Sequence, residues 1–175
     1  MDEMARLIEP MIPALRRYAR SLLRDRAAAD DLVQDCLERA ITNWGQRRSD
    51  GSVRSWVFTI LHNLAISGLR QSARRGQPMS IEDASEASAA QPPQQEDALR
   101  RADVLAALSR LPDEQRSALL LVSVEDLSYA EAAKVLGVPI GTVMSRLSRG
   151  RERLRRELEG DSGGVVETSF LRRVK

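Results

Sequence analysis

Aromatic residues make up only 3% of this 175-residue sequence, with two each of Trp, Tyr and Phe. That scarcity argues against a sheet-rich fold, because strands draw heavily on aromatic and β-branched side chains. The apolar content, 42% of residues, is carried by Leu and Ala, which favour helix. A single cysteine, Cys36, excludes an internal disulfide framework and suits a reducing compartment, the cytoplasm. With one histidine, His62, there is no zinc site of nitrogen and sulfur ligands to be built. No apolar run reaches the length of a bilayer crossing, and the opening MDEMARLIEP lacks the charged-then-apolar pattern of a secretory signal. Paired carboxylates in a plausible cleft, a phosphate-cradling glycine loop and a nucleophile motif are all missing. The expectation is a non-enzymatic protein with no metal, no cofactor and no membrane insertion.

Net charge is +2, but the charges are unevenly spread. Between Gly76 and Leu99 stand Glu82, Asp83, Glu86, Glu96 and Asp97 with no Lys or Arg, and arginines crowd either side. The same stretch, QPMSIEDASEASAAQPPQQ from Gln77 to Gln95, is rich in Ser, Ala, Pro and Gln and poor in large apolar residues, which marks a linker. The expected organisation is an all-α chain of two small helical domains, residues 1–76 and 97–159, joined by a flexible acidic linker at 77–96. A mobile tail occupies 160–175.

Three helices are expected in the first module. Ile8, Met11, Ile12, Leu15, Tyr18, Ala19 and Leu22 recur at helical spacing, with Pro10 and Pro13 limiting where that helix becomes regular. A second helix runs from about Ala27 to Trp44, with Leu32, Val33, Cys36, Leu37, Ala40, Ile41 and Trp44 inward. Asp31, Gln34, Asp35 and Glu38 form an acidic stripe on its opposite side. Such a stripe is either a solvated face or a dock for a basic protein surface, since it repels DNA. A third helix, about Ser52 to Arg70, buries Val53, Trp56, Val57, Ile60, Leu61 and Leu64. Thr59, Asn63 and Arg70 line one side and Arg74 and Arg75 follow, while Phe58, His62, Ile66 and Leu69 form an apolar face with no partner in a three-helix module. Two readings of Phe58 stand: stacking on an unpaired base, or packing on the first helix. His62 reads as structural or solvent-facing.

The second module opens with an amphipathic stretch, Leu99 to Leu111, and a helix started by Pro112. Ser128 with Glu131 three residues on forms a capping box, Gly137 stops that short helix, and Pro139 opens a longer one with Val143, Leu147, Leu154 and Leu158 inward. A short helix, a glycine turn and an arginine-rich second helix describe a helix-turn-helix. Its outer face carries Ser145, Ser148, Arg149, Glu152 and Arg156, placed to reach base edges and phosphates. The plain alternative is a solvated basic helix end, where cations suit the helix dipole.

Three segments in order, DDLVQDCLERAI, SVRSWVFTILHNLAISGLR and LPDEQRSALLLVSVEDLSYAEAAKVLGVPIGTVMSRLSRGRERL, resemble bacterial RNA polymerase sigma factors of the extracytoplasmic-function (ECF) group. The resemblance covers about Leu15 to Leu158. It implies that Asp31, Leu32, Val33, Gln34, Asp35 and Glu38 dock on the clamp helices of the largest subunit of core RNA polymerase. It implies that the segment of Trp56, Phe58 and Asn63, with Thr59, Arg70 and Arg74 beside them, opens the minus-10 element of promoter DNA and holds an unpaired base. It assigns the helix-turn-helix to the minus-35 element, through Thr142, Met144, Ser145, Arg146, Ser148, Arg149, Glu152 and Arg156, and makes an anti-sigma factor an expected partner. Met144 stands where many members carry Arg, and Ser148 where larger residues are common, so the promoter sequence does not carry over. Two competitors remain at this point: an autonomous helix-turn-helix repressor, and a decoy that sequesters an anti-sigma factor.

Overall fold

The computed structural model describes residues 2–47, 51–75 and 95–161. Among the described residues all regular structure is helical. Helix α1 (Asp2–Ile8) passes through a 3₁₀ turn at Glu9–Met11 into α2 (Ile12–Leu23). Pro10 and Pro13 sit in the first turns of the latter two, where a missing N–H forfeits no hydrogen bond. Arg24 ends α2 in the left-handed region at φ 58°. One residue on, Asp25 caps α3 (Arg26–Thr42) by accepting from the Ala28 N–H at 3.0 Å, which satisfies one of the orphan donors of a helix start. Helix α4 (Val53–Arg75) completes the first module.

Its core is a three-helix junction. Leu15, Tyr18, Ala19 and Leu22 of α2 meet Ala29, Val33, Cys36 and Ala40 of α3, and Val57, Leu61 and Ala65 of α4, all essentially without exposed surface. The Cys36 thiol donates to the Val57 carbonyl at 3.6 Å, and burial raises its pKa to about 12, so it behaves as a small core hydrophobe. Ile41, expected inward, is 53% exposed. The α3 stripe runs through Val33, Cys36 and Ala40, and Ile41 lies about 100° around the helix from Ala40, at the edge of the acidic side.

The second module comprises α5 (Gln95–Ser109), α6 (Asp113–Leu119), a π-helical turn at Leu120–Val124, α7 (Tyr129–Leu136) and α8 (Ile140–Asp161). Helix α5 takes in Gln95 and Glu96, and α8 takes in Gly160 and Asp161; residues 76–94 and 162–175 lie outside the described part, Glu82, Asp83 and Glu86 among them. The core gathers Ala107, Leu111, Leu119, Leu121, Leu127, Ala132 and Val135 around the inner stripe of α8, Val143, Leu147, Leu154 and Leu158. Gly150 lies on that stripe because α6 crosses it closely: a Cβ there would come within 3.0 Å of Leu119 Cδ1. Arg116, 2% exposed, ties the α5–α6 corner by pairing with Asp113 and donating to the Ser109 and Leu111 carbonyls.

The modules are in direct contact. Helix α4 packs on α7, and α2 packs on α5 and α6. The sequence left one face of α4 without a partner; in the structure Phe58 and His62 are buried and Leu69 is half-buried.

Candidate protein- and nucleic-acid-binding surfaces

The acidic stripe of α3 stands free on one side of the first module. Asp31, Gln34, Asp35 and Glu38 are exposed, and Gln34 Nε2 donates to Glu38 Oε1 at 3.3 Å. Of the two apolar residues grouped with them, Val33 is core and Leu32 is half-buried, so Val33 supports the stripe from beneath. Asp30 is withdrawn from it by Arg20, whose Nη2 donates to Oδ1 at 3.0 Å. Exposed Ile41 closes the stripe with an apolar end.

On α4 a polar stripe faces solvent. Thr59, Asn63, Arg70 and Arg74 fall within about 60° of one another on a helical projection; Asn63, Arg70 and Arg74 are exposed, and the half-buried Thr59 hydroxyl is turned back to the Ser55 carbonyl at 2.7 Å. Trp56 borders the stripe, half-buried and edge-on to Trp44 with ring centroids 6.0 Å apart; the Arg47 guanidinium covers Trp44 at 4.7 Å. Phe58 is not part of this surface. It is fully buried, edge-on to Tyr18 at 5.6 Å, with the Arg54 guanidinium 5.3 Å from its ring. The reason is angular: five residues separate Phe58 from Asn63, about 140° around the helix. His62, on the same covered face, is hydrogen-bonded through Nδ1 to the Tyr18 hydroxyl at 2.9 Å. Burial, helped by the nearby Arg146 charge, lowers its pKa to about 4, so the ring is neutral at ordinary pH.

The helix-turn-helix has the expected joints. The Ser128 hydroxyl accepts from the Glu131 N–H at 3.2 Å while Glu131 Oε2 accepts from the Ser128 N–H at 3.0 Å; the backbone bond holds that carboxyl below its usual range. Gly137 terminates α7 in the left-handed region at φ 64°. Beyond the turn, Ser148, Arg149 and Arg156 of α8 are exposed, and Ser145 is half-buried with its hydroxyl donating to the Thr142 carbonyl at 3.0 Å. Glu152 is held by Arg156 Nε and Arg155 Nη2, each at 3.0 Å, so it orders the arginines of its own helix. Arg146 lies on the flank, not on this outer face: its side chain is 18% exposed and pairs with Glu114 of α6 at 3.2 Å. Ile140 and Met144, one turn apart at the helix start, are 44% and 49% exposed.

Sequence reasoning missed the residues at the module junction. Glu125, 1% exposed, accepts from Arg17 Nε at 2.9 Å and Nη2 at 2.7 Å. Arg54 Nη2 lies 3.5 Å from the same carboxylate. The Glu125 hydrogen bond raises the Arg17 pKa. The only available signal was a lone acid closing an apolar run, LLLVSVE, and nothing in it named the partners.

Comparison with known proteins fits these modules. Residues 8–62 match the family model described as the Sigma2 domain of PhyR, and residues 101–154 match Sigma-70, region 4. The arrangement thus defines a two-domain sigma-type transcription factor whose second domain is a helix-turn-helix. The ECF RNA polymerase sigma factor EcfG of Rhodopseudomonas palustris is 38% identical over 146 residues, covering 82% of this chain and 78% of the relative. SigM of Mycobacterium tuberculosis is 39% identical over 151 residues, covering 86% and 74%. The chain belongs to the ECF RNA polymerase sigma factor family. Among solved structures, the sigma factor RpoE in complex with the anti-sigma factor NepR from Bartonella quintana superposes with a TM-score of 0.77 at 34% identity, covering 93% of this chain and all of that one. CnrH in complex with the cytosolic domain of CnrY gives a TM-score of 0.69 at 26% identity, covering 91% and 89%. No helix among the described residues is long and apolar enough to cross a membrane.

Proposed function

We propose that the chain divides the work of promoter recognition among three separate surfaces. The α3 stripe of Asp31, Gln34, Asp35 and Glu38 docks on the clamp helices of core RNA polymerase. The α4 stripe of Thr59, Asn63, Arg70 and Arg74, bordered by Trp56, takes the minus-10 element. The outer face of α8, with Ser145, Ser148, Arg149 and Arg156 and the apolar start at Met144, reads the minus-35 element. The first module, through α4, and the second, from α5 at Gln95 to the end of α8 at Asp161, are then the two functional domains, with the residues between them as their tether and those after them as a tail. The protein acts in the cytoplasm as a non-catalytic initiation factor, and an anti-sigma factor controls it, as the solved complex of the related RpoE suggests.

The observation that carries this reading is the segregation of charge. The exposed stripe of α3 carries Asp31, Asp35 and Glu38, although Arg26 and Arg39 of the same helix are exposed as well, and the exposed stripes of α4 and α8 carry arginines. An acidic face repels phosphates and a basic one gathers them, so one surface suits a protein partner and two suit DNA. Run-off transcription with purified core polymerase, with and without this protein, is the test. Promoter-dependent transcripts that appear only with the protein are expected. A protein that binds an anti-sigma factor but never supports a transcript is a decoy, and the reading falls.

A further inference from the structure

The junction between the modules centres on one carboxylate. Glu125 reaches it because the π-helical turn at Leu120–Val124 carries the chain inward: its N–H donates to the Leu120 carbonyl at 2.9 Å, a five-residue step that α-helical geometry does not make. Both of its side-chain partners come from the other module, the forked Arg17 guanidinium of α2 and Arg54 at the start of α4. Arg54 Nη2 also donates to the Glu125 backbone carbonyl at 2.8 Å, and Arg24 donates to the Ser109 carbonyl across the same junction. A carboxylate 1% exposed is tolerated only when paired. Here the pairing exists only while the modules touch.

That contact conflicts with reading a promoter. The minus-10 and minus-35 elements, by their designations, lie about 25 base pairs apart, roughly 85 Å at 3.4 Å per pair. Helices α4 and α8, of 23 and 22 residues, are each only about 33–35 Å long and stand on touching modules. A compact chain of this length has a radius of gyration near ~16 Å. The two faces can meet their elements together only after the modules part. The nineteen residues between Arg75 and Gln95 have a maximum extended reach of roughly 65 Å, which, with the modules' own dimensions, is enough.

We propose that Glu125 is an interdomain latch: through Arg17 and Arg54 it holds this sigma factor closed, and the latch must release before both promoter elements can be engaged. The proposal rests on the assignment of α4 and α8 to the two elements, and its test is independent of it. Spin labels on cysteines placed at exposed Gln71 and Lys134, with Cys36 buried and unreactive, report the distance between the modules in the full chain by pulsed electron resonance. The intact latch should give one narrow, short distance. Glu125→Gln, which keeps the shape and removes the charge, and Arg17→Ala, which changes a half-exposed side chain, should each give a broad, longer one with helix content unchanged. If the closed form holds nine-tenths of the population, apparent affinity for promoter DNA carrying both elements, measured with core polymerase present, should rise about tenfold in both variants, because only the open fraction engages both. A short distance unchanged in Glu125→Gln and Arg17→Ala overturns the latch, as does a long distance with the latch intact. Opening without any gain in affinity for promoter DNA carrying both elements overturns its role in access. Failure of run-off transcription would refute the functional reading and leave the distance result standing.

Discussion

Helices α4 and α8 are nearly equal in length, and each is proposed to carry a DNA face, yet they are built differently. Helix α8 is covered on one side: Val143, Leu147, Leu154 and Leu158 are buried, and the opposite face carries Ser148, Arg149 and Arg156 into solvent. Helix α4 is covered on two sides. Val57 and Leu61 enter the core with α3, while Phe58 and His62 meet Tyr18 on the flank where the second module packs. The proposed reading stripe on α4, Asn63, Arg70 and Arg74, is exposed, and the last turns of the helix are exposed around it at Ser67, Gly68, Gln71, Ala73 and Arg75. A helix packed from one direction shows its reading face in its periodicity. A helix packed from two does not, because the second covering depends on a partner that local pattern cannot name.

The sharpest break of this comparison is within α4 itself. Phe58→Ala should cost about 3–5 kcal/mol of stability, as for other buried aromatic truncations, while Asn63→Ala, five residues on, should leave stability within about 0.5 kcal/mol. Denaturant unfolding of the two variants measures this. A neutral Phe58→Ala would return Phe58 to the surface. On transcription the roles should reverse: Asn63→Ala should unfold like the parent and fail to open the promoter, visible by permanganate footprinting. On α3, Asp35→Arg, alone or with Asp31→Arg, should weaken binding to core polymerase by on the order of 2–5 kcal/mol with the fold intact, since both side chains are exposed. Unchanged affinity in a titration would reduce the stripe to a solvated face.

These contrasts also explain what the sequence could tell. The caps of α7, the glycine stop at Gly137 and the inner stripe of α8 were all legible, because each is set by residues within one or two turns of one another. The break at Pro10 and Pro13 was legible for the same reason. Phe58 was left between two readings, and Arg146 was counted among the minus-35 contacts although it pairs with Glu114. Glu125 escaped altogether: its partners are 108 and 71 positions away, and no periodicity encodes a contact between modules. The residues proposed to read DNA stood out in the local pattern, and those that join the modules did not.

The covered face of α4 should also give the protein an acid sensitivity that α8 lacks. His62 has a pKa lowered to about 4 by burial and by Arg146, against roughly 6.5 unfolded. The unfolded chain therefore binds a proton more readily than the folded one. The stability His62 contributes is full above pH 6.5 and is lost as pH falls from about 6.5 to 4, on the order of 3 kcal/mol over the whole window. His62 is the single histidine, so the upper half of this window, above the carboxylate range, isolates it. A His62→Gln variant should lose the slope between pH 6.5 and 5. An unchanged slope would place its source elsewhere.

The smallest effect expected lies at the start of α8, where the exposed face is apolar, unlike the polar stripe of α4. Ile140 and Met144 are 44% and 49% exposed, and no core requirement explains two large apolar side chains there. In helix-turn-helix proteins the first turns of the second helix approach base edges in the major groove, where the thymine C5-methyl is the apolar feature offered. Met144 should therefore contribute to the minus-35 contact by covering a thymine methyl, with Arg149 and Arg156 supplying the charge. Burying one methyl is worth about 0.8 kcal/mol, or roughly a fourfold change in affinity. Replacing each thymine of a bound minus-35 element by deoxyuridine, one at a time, removes the methyl and nothing else. One position should lose about fourfold with the parent protein and nothing further with Met144→Ala. Arg149→Ala supplies the contrast: its loss of about 1–3 kcal/mol should persist on the deoxyuridine template, because a guanidinium does not read a methyl. Equal losses for parent and Met144→Ala at every deoxyuridine would remove Met144 from recognition and leave α8 reading through its polar residues alone.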